Sequence, residues 1–225
     1  MSAAELRVRL LAGGVYFSDR ADGNMSSVGG EDAAAGQENR ARLRARLGLD
    51  GLARGYQVHG TRVLIASTGN DARSQGALEG ADGQATAARA LGVMVLAADC
   101  LPVALAAPGA VAMLHAGWRG LGAGVIEQGV ATLRTLSDGP LEAVLGPCAG
   151  PCCYEVGPEV HESLGTGTSG HAKVDLRAIA RARLEGAGVA TVTEVGGCTI
   201  CDERFFSHRR EGAAAGRQAG IAWLS

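Results

Sequence analysis

The sequence has few aromatic residues and no long apolar run, and both absences narrow what it can be. Phe, Trp and Tyr make up 4% of its 225 residues, so Ala, Val and Leu have to build the core. No segment reaches the roughly 18 consecutive apolar residues of a membrane-spanning helix. The first 20 residues, MSAAELRVRLLAGGVYFSDR, carry charges within their apolar part, which is untypical of a signal peptide. We therefore expect a cytoplasmic protein with no membrane partner.

The sequence also lacks an excess of positive charge. It holds 21 Lys and Arg against 23 Asp and Glu, a formal net charge of −2. Its one cluster of basic residues, SHRR at 207–210, is too short to bind a nucleic-acid duplex. We expect no nucleic-acid partner. A cytoplasmic location keeps thiols reduced, so the six cysteines are expected to be free, metal-bound or catalytic rather than paired.

Strand-like apolar runs alternate with helical periodicity along the chain, which predicts an α/β or α+β fold. No composition shift marks a boundary, so we expect one domain over residues 1–225. Strands are predicted at 6–11, 15–18, 63–66, 93–98, 103–106, 111–115, 141–145, 191–195 and 221–224. Helices are predicted at about 32–47, 83–91, 121–136, 158–164 and 175–186, the last beginning at Asp175, a good N-cap.

Three side chains that can bind a metal end apolar runs bordered by glycine. His59 closes GYQVHG, Cys100 closes VMVLAADC and His115 closes VAMLHAGW. Two imidazoles and one thiolate suit Zn²⁺ and leave a fourth position for water or substrate. Their spacing follows no standard motif. The alternative is therefore that Cys100 is a small core residue and the two histidines are hydrogen-bonded strand-end residues.

A second group of residues is rich in cysteine. GPCAGPCCYEVG contains Cys148, Cys152 and Cys153, and CTIC contains Cys198 and Cys201. A zinc ribbon needs two close pairs, whereas the first pair here is C-x₃-C within a Pro/Gly turn. We expect ordinary buried or partly exposed thiols that contribute packing, rather than a structural Cys₄ zinc site.

A third group lies in FFSHRREGAAAGRQAG at 205–220. Ser207, Arg209, Arg210 and Arg217 stand among glycines there. Arg and Ser side chains together with backbone N–H groups suit an oxyanion such as phosphate. The alternative is a solvated basic loop.

Six stretches resemble, in the same order, the YfiH family: QVHG, ADCLPV, HAGWRG, GPCAGPCCYEVG, DLRAIARARL and CT…FFSHRREG…GRQAGIAWL. The resemblance covers about residues 14–224. Members are variously described as multicopper polyphenol oxidoreductases with a laccase domain, purine nucleoside phosphorylases and peptidoglycan editing factors. The resemblance implies a single-domain α/β/β/α layered sandwich, similar to cytotoxic necrotising factor. It also implies that His59, Cys100 and His115 form a metal site, with Gly117 and Gly120 turning the backbone away from it.

The activity that the resemblance implies is a zinc-dependent purine nucleoside phosphorylase. Adenosine, inosine, guanosine or methylthioadenosine would react with phosphate to give the base and ribose-1-phosphate, with adenosine deamination as a side activity. We expect Zn²⁺ as cofactor, and nucleoside and phosphate as the ligands of a monomer or homodimer. A laccase needs a trinuclear copper cluster, which five histidines without an H-x-H pair do not supply. Copper binding is then adventitious.

Candidate substrate residues follow from the same resemblance. Those expected to contact substrate or phosphate are Arg20, Asn24, Tyr154, Glu155, Arg209 and Arg210. Asp99, next to Cys100, is a candidate for orienting a ligand or moving protons, or else a strand-end turn residue. The segment at 18–30 is shorter than in the family and lacks its Ser/Pro/Tyr part, while Arg20 and Asn24 keep matching positions. We expect substrate choice or activity to depend on this difference.

Two functions of other classes stay open. Family members linked to peptidoglycan editing favour a cysteine-dependent hydrolase of cell-wall precursors, with Cys100 as nucleophile and His115 as base. The other is a non-catalytic partner of cell-division or wall proteins, for which the sequence has no positive feature.

Overall fold

Two β-sheets with helices packed against them form the fold in the computed structural model, which describes residues 6–11, 13–27, 33–70 and 78–225. The strands are β1 (Arg7–Leu10), β2 (Gly13–Phe17), β3 (Gly51–Ala53), β4 (Val63–Ile65), β5 (Gly83–Thr86), β6 (Leu91–Ala97), β7 (Leu101–Ala107), β8 (Ala110–Ala116), β9 (Glu142–Leu145), β10 (Glu155–Val156), β11 (Ala172–Lys173), β12 (Thr191–Glu194) and β13 (Gln218–Leu224). The helices are α1 (Gly36–Leu47), α2 (Trp118–Ala123), α3 (Val125–Arg134), α4 (Pro158–Leu164), α5 (Leu176–Gly186) and α6 (His208–Glu211).

The two large sheets stack face to face. The first has the strand order β1-β2-β13-β6-β3, the second has β12-β9-β7-β8-β5-β4, and β10 and β11 form a small separate pair. Strands β6 and β13 of the first sheet contact β8 of the second. All seven residues of β7 and of β8 are buried, because one face meets the opposite sheet and the other meets helices.

Helices α2 to α5 lie on the outer side of the second sheet. Helix α3 packs on β4, β5 and β8 through Ile126, Val130 and Leu133, α5 packs on α3, and α4 packs on α2. Helix α1 contributes Leu43 to the core of the first sheet. The expected mixed, layered α/β fold is confirmed. No helix within the described ranges combines the length and apolarity needed to cross a bilayer.

Most of the predicted elements are confirmed. All nine predicted strands overlap strands of the structure, and the helices predicted at 158–164 and 175–186 correspond to α4 and α5. Asp175 caps α5 as predicted, since its side chain accepts the backbone N–H groups of Arg177 and Ala178. The helix predicted from residue 32 begins at Gly36, after a 3₁₀ turn at Ala33–Ala35, and residue 32 itself lies outside the described residues.

Two helix predictions differ from the structure. The prediction of a helix at 83–91 is wrong, because residues 83–86 form β5, which pairs with β4 on one side and with β8 on the other. A side chain at Gly83 would come within 2.7 Å of Leu114, so the close strand packing outweighs the helix propensity of the Ala-rich sequence. The helix at 121–136 is instead two helices, since Gly124, with φ of 101°, ends α2 in the left-handed conformation.

Candidate metal centre

His59, Cys100 and His115 meet in space although they come from three parts of the chain. His115 lies near the end of β8, Cys100 in the turn between β6 and β7, and His59 in the connection between β3 and β4. One ligand atom from each lies within 4.8 Å of the others. The two imidazole ring centroids are 4.9 Å apart, with the rings at 69°. His115 is 3% exposed while His59 is largely exposed, so the group opens to solvent on one side.

The connection that carries His59 is irregular, so His59 does not lie at a strand end as His115 does. Among the described residues, His59 and Asp99 are two of three non-glycine residues with positive φ, at 58° and 84°. Such conformations are uncommon outside glycine and persist where the surroundings hold them, frequently at functional sites. His59 belongs to the candidate metal centre, and Asp99 directly precedes its residue Cys100.

A buried carboxylate, Asp82, holds this irregular connection and was not foreseen from the sequence. Its Oδ1 accepts the backbone N–H of His59 at 2.9 Å and lies 2.8 Å from Nδ1 of His115. Its Oδ2 accepts the backbone N–H groups of Val58 and Gly60, at 3.0 and 2.8 Å. Because Asp82 occupies Nδ1, the Nε2 atom of His115 is left to face Cys100. Carboxylates that orient metal-binding histidines in this way are a common partner of zinc sites.

Cys100, His115 and Asp82 stabilise one another's charged forms. Burial alone would raise the pKa of Cys100, but the charge of His115 and hydrogen bonds from His115 and His59 lower it to about 6. Burial would lower the pKa of His115, but the Cys100 thiolate and the bond to Asp82 raise it to about 9. Burial would raise the pKa of Asp82, but hydrogen bonds from His115 and Gly60 lower it below its ordinary range. Cys100 is thus a thiolate near neutral pH, the form that binds metals.

The absence of a side chain at Gly117 lets Cys100 and His59 lie close to its backbone, and is not needed for a turn. Its φ of −67° and ψ of 162° suit any residue, so the expectation that it is needed to turn the chain is wrong. A Cβ atom there would lie 2.9 Å from Sγ of Cys100 and 3.1 Å from Cδ2 of His59. At Gly120, a Cβ atom would lie 2.8 Å from the carbonyl oxygen of Gly60. Gly117 therefore leaves space for the side chains of Cys100 and His59, and Gly120 leaves space for the backbone of the connection that carries His59.

Replacing Gly117 by alanine is expected to weaken metal binding while leaving the fold intact. The added methyl group must displace Cys100 or His59, whereas its backbone dihedrals suit alanine. We expect zinc affinity, measured by competition with a chromogenic chelator, to fall on the order of 10-fold, the lower end of the effect of disturbing ligand orientation. Gly170→Ala is the control, because nothing lies within 4 Å of its Cβ position. Equal affinities of the two variants would contradict this interpretation.

A cavity of about 470 Å³ opens over the three ligand side chains. Arg54, Arg217 and His208 also line it. Of these, Arg217 belongs to the Arg/Ser group predicted to suit an oxyanion, whereas Arg54 and His208 were not predicted. Gln57 forms part of the wall and is fixed by two hydrogen bonds to the backbone of Leu96, at 2.7 and 2.8 Å. This volume lies in the range of roughly 300–1,000 Å³ that is usual for small-molecule sites.

Three of the predicted substrate residues line a neighbouring cavity instead. Arg20, Asn24 and Arg210 surround a space of about 560 Å³. Asn24 contributes to the partition between the two cavities, because its Oδ1 accepts the backbone N–H of Arg217 at 2.9 Å. Of the shortened segment at 18–30, residues 28–30 lie outside the described residues.

The guanidinium groups of Arg20 and Arg210 bind the protein itself. Arg210 donates to the carbonyl oxygens of Thr199 and Ile200, at 2.8 and 2.9 Å, and pairs with Glu211 at 2.6 Å. Arg20 pairs with the same Glu211 carboxylate. These two arginines therefore hold together the segment that leads into α6.

Tyr154, Glu155 and Arg209 contact one another but are not among the residues that line either cavity. The Arg209 guanidinium lies 5.0 Å from the ring centroid of Tyr154 and donates to the carbonyl oxygen of Glu155 at 3.0 Å. Burial and the negative charge of Cys100 raise the pKa of Tyr154 to about 12. Tyr154 is therefore a neutral phenol at physiological pH.

Asp99 contacts the chain through both of its carboxylate oxygens. Oδ1 accepts the hydroxyl of Thr199 at 2.6 Å, and Oδ2 accepts the backbone N–H of Arg209 at 2.7 Å. These contacts fix the segment before and within α6 against the turn that carries Cys100. The geometry gives Asp99 a positioning contact rather than a free carboxylate in the cavity.

The chain is similar to known proteins in sequence and in fold. The chain matches the profile of the family described as multi-copper polyphenol oxidoreductase laccase over residues 8–225. A Xylella fastidiosa (strain Temecula1) protein named purine nucleoside phosphorylase is 42% identical over 219 residues, 90% of this chain and 84% of the relative. A Neisseria meningitidis protein of family DUF152 superimposes with a TM-score of 0.83 at 29% identity, over 98% of this chain and 99% of the other. Bacillus licheniformis YfiH gives a TM-score of 0.83 at 25% identity, over 94% and 92%.

Proposed function

The chain belongs to this laccase-like YfiH/DUF152 family, and we propose that it is a zinc-dependent purine nucleoside phosphorylase with adenosine deaminase side activity. One observation carries the proposal: three ligand side chains line the same cavity as two arginines and a histidine. The name of the similar Xylella protein supports the reaction class. Adenosine, inosine, guanosine and methylthioadenosine are the proposed nucleosides.

The donor set fits a zinc ion. Two imidazole nitrogens and one thiolate, with ligand atoms within 4.8 Å of one another, match the three protein ligands of a catalytic zinc site. Asp82 gives His115 the outer hydrogen bond that such ligands usually have. We propose that His59, Cys100 and His115 hold Zn²⁺, which when bound supplies a Lewis acid at the cavity wall.

Arg54 and Arg217 give the cavity its positive charge. Both line it, and Nη1 of Arg217 donates to the carbonyl oxygens of Ala215 and Gly216, at 2.7 and 2.8 Å, which fixes its guanidinium in place. Guanidinium groups bind phosphate oxygens with charge-assisted hydrogen bonds. In the proposal, these two arginines orient phosphate toward the ribose and stabilise its charge.

The proposed reaction needs a proton for the departing base. A phosphate oxygen forms a bond to C1′ of the ribose, the C1′–N9 bond breaks with its electron pair passing to the purine, and the purine takes up one proton. His208 is the group on the cavity wall that we assign to donate this proton. In the side reaction, the oxygen of a water molecule replaces the amino group at C6 and ammonia leaves.

Purified protein loaded with zinc is expected to convert adenosine and phosphate to adenine and ribose-1-phosphate. Without phosphate, the same protein is expected to give some inosine. Chromatography of the bases and an enzymatic assay for ribose-1-phosphate measure both reactions. The stripped protein, assayed before and after zinc is restored, is the control. Absence of both products from zinc-loaded, folded protein would contradict the proposed function.

We propose that polyphenol oxidation by a copper cluster is not the chemistry of this chain, despite the family description. The chain has five histidines, and the candidate site uses two of them. His161 is buried and hydrogen-bonded to Thr166 and to the carbonyl oxygen of Ala172, at 2.8 and 3.2 Å. The remaining histidines, His171 and His208, do not make up a trinuclear cluster.

A second candidate function uses the same residues without a metal. Ligand atoms of Cys100 and His115 lie within 4.8 Å of each other, and the charge of His115 lowers the pKa of Cys100, as a base does for its nucleophile in cysteine-dependent hydrolases. Such an enzyme would act on cell-wall precursors through Cys100. Activity that survives complete removal of metal by a chelator and is lost on alkylation of Cys100 would favour this alternative over the phosphorylase.

A further inference from the structure

Four cysteines outside the cavity converge on one point. The Sγ atoms of Cys152, Cys153, Cys198 and Cys201 all lie within 4.8 Å of one another. Sγ of Cys201 is 3.3 Å from that of Cys152 and 2.8 Å from that of Cys153. The packing role expected for Cys148, Cys152 and Cys153 fits Cys148, which is 1% exposed within an apolar core, whereas Cys152 is exposed and Cys153 is partly exposed.

We propose that these four cysteines form a second metal site, a tetrathiolate centre for Zn²⁺ that shares no ligand with His59, Cys100 and His115. In a tetrahedral site, Zn–S bonds of about 2.3 Å place sulfur atoms about 3.8 Å apart. The shortest sulfur–sulfur contact here, 2.8 Å, would therefore widen by about 1 Å when a zinc ion enters. Binding would release the protons of the four thiols to solvent.

The segments that carry Cys152–Cys153 and Cys198–Cys201 bring backbone N–H groups and thiols close together, as a site with several thiolate ligands requires. Cys198 and Cys201 have the C-x₂-C spacing of structural zinc sites. The backbone N–H of Gly150 donates to Sγ of Cys198 at 3.2 Å. A Cβ atom at Gly150 would lie 3.0 Å from Cβ of Cys198 and 3.6 Å from Sγ of Cys152. Glycine is therefore the residue that lets the backbone reach the sulfur atoms from this side.

The sequence spacing suggested the wrong pair of cysteines. Cys148, which gave the apparent C-x₃-C pair with Cys152, forms a backbone bridge with Cys198, and its carbonyl oxygen accepts the N–H of Thr199 at 2.9 Å. This bridge aligns the two segments so that the adjacent pair Cys152–Cys153 faces Cys198 and Cys201. The vicinal pair replaces the second C-x₂-C of a zinc ribbon.

Packing does not account for this cluster. Cys152 and Cys201 are exposed, and Cys153 and Cys198 are partly exposed, so their thiols are accessible to a metal ion from solvent. Four adjacent thiols, two exposed and two partly exposed, are placed to bind a metal ion rather than to fill a core. The competing interpretation is a disulfide from Cys201 to Cys152 or Cys153, which would need an external oxidant.

A metal ion in this site would stabilise the Cys198–Cys201 turn, which is hydrogen-bonded to residues next to the substrate cavity. Thr199, inside the C-x₂-C turn, donates its hydroxyl to Asp99, which precedes the ligand Cys100. The same turn accepts two hydrogen bonds from Arg210, which follows the cavity residue His208. The tetrathiolate centre is therefore proposed to be structural, joining the segment after β9 to the segment that leads into α6.

Protein purified under reducing conditions without chelators is expected to hold about one zinc more per chain than the double variant C198S/C201S. Cys148→Ser is the matched control and is expected to keep the metal content of the wild type. With cobalt(II), the wild type should show strong thiolate-to-metal charge-transfer bands that the double variant loses. Cys201→Ser alone provides a second test, because its exposed side chain can change without disturbing the core. Circular dichroism verifies that each variant folds.

The second site and the proposed phosphorylase site can fail independently. The variant His115→Ala should keep the tetrathiolate zinc and its cobalt spectrum, whatever its activity. Unchanged zinc content and cobalt bands in both C198S/C201S and Cys201→Ser would overturn the proposal. So would intact-mass analysis that finds a metal-free disulfide involving Cys201 in protein kept under reducing conditions.

Discussion

Replacing His115 by alanine is expected to empty the proposed metal centre and abolish the proposed phosphorolysis together. His115 is the buried ligand, and the two that remain, His59 and Cys100, no longer form the three-point chelate of a catalytic zinc site. Zinc affinity at this site should fall by more than the roughly 10–100-fold that loss of an outer partner costs. Metal analysis and adenosine turnover, measured on the same preparation, test both effects.

His171→Ala controls for the general effect of removing an imidazole. His171 is exposed and lies outside the cavity, so this variant should keep wild-type zinc and turnover. Since His115→Ala also opens space in the interior, His59→Ala is a second test that leaves the core untouched, because His59 is exposed. Turnover that persists in both ligand variants after their zinc is lost would reject the metal-dependent mechanism.

The central strands β6, β7 and β8 could be predicted because nearly all of their residues are buried, and burial on both faces requires continuous apolar sequence. Residues 83–91 could not be predicted in the same way. Their alanines suit a helix, and only pairing with β4 and β8, which are distant in sequence, makes residues 83–86 a strand.

The ligand types of the candidate site were evident from the sequence, but its supporting residues were not. His59, Cys100 and His115 end apolar runs, and the family resemblance joined them. Asp82 gave no comparable signal, since it stands in GADGQAT among small residues with nothing to link it to a histidine 33 positions away. A residue that acts through long-range hydrogen bonds becomes visible only when the strands are placed side by side.

The arginines illustrate a different limit of sequence analysis. A cluster of Arg and Ser residues suggests an oxyanion site, but composition does not tell which guanidinium faces the cavity. Arg210 is held by backbone carbonyl groups and Glu211, whereas Arg217 and Arg54 line the wall beside the ligand residues. The place of each arginine in the fold, rather than its residue type, thus decides which guanidinium lies beside the ligand residues.

Asp82 is the residue on which both histidine ligands depend, and asparagine cannot replace it. Both carboxylate oxygens accept hydrogen bonds, one from His59 and His115 and the other from the backbone N–H groups of Val58 and Gly60. An asparagine has one oxygen and one NH₂ group. In one orientation the NH₂ group faces the N–H groups of His59 and His115, and in the other it faces those of Val58 and Gly60. In both cases two N–H groups lose their acceptor. Such a conflict costs about 1–3 kcal/mol.

Asp82→Asn is therefore expected to lower zinc affinity by about 10–100-fold, the usual effect of losing an outer partner of a histidine ligand. Chelator competition measures the affinity. Nitrogen-15 NMR of His115 reports whether Nδ1 still donates to residue 82. A lower free energy of unfolding alone would not change the chemical shift of this nitrogen in the folded protein. Asp175→Asn is the matched control, since asparagine caps a helix as well as aspartate does and Asp175 caps α5. If Asp82→Asn binds zinc as tightly as Asp175→Asn and the His115 resonances are unchanged, Asp82 does not position the ligands.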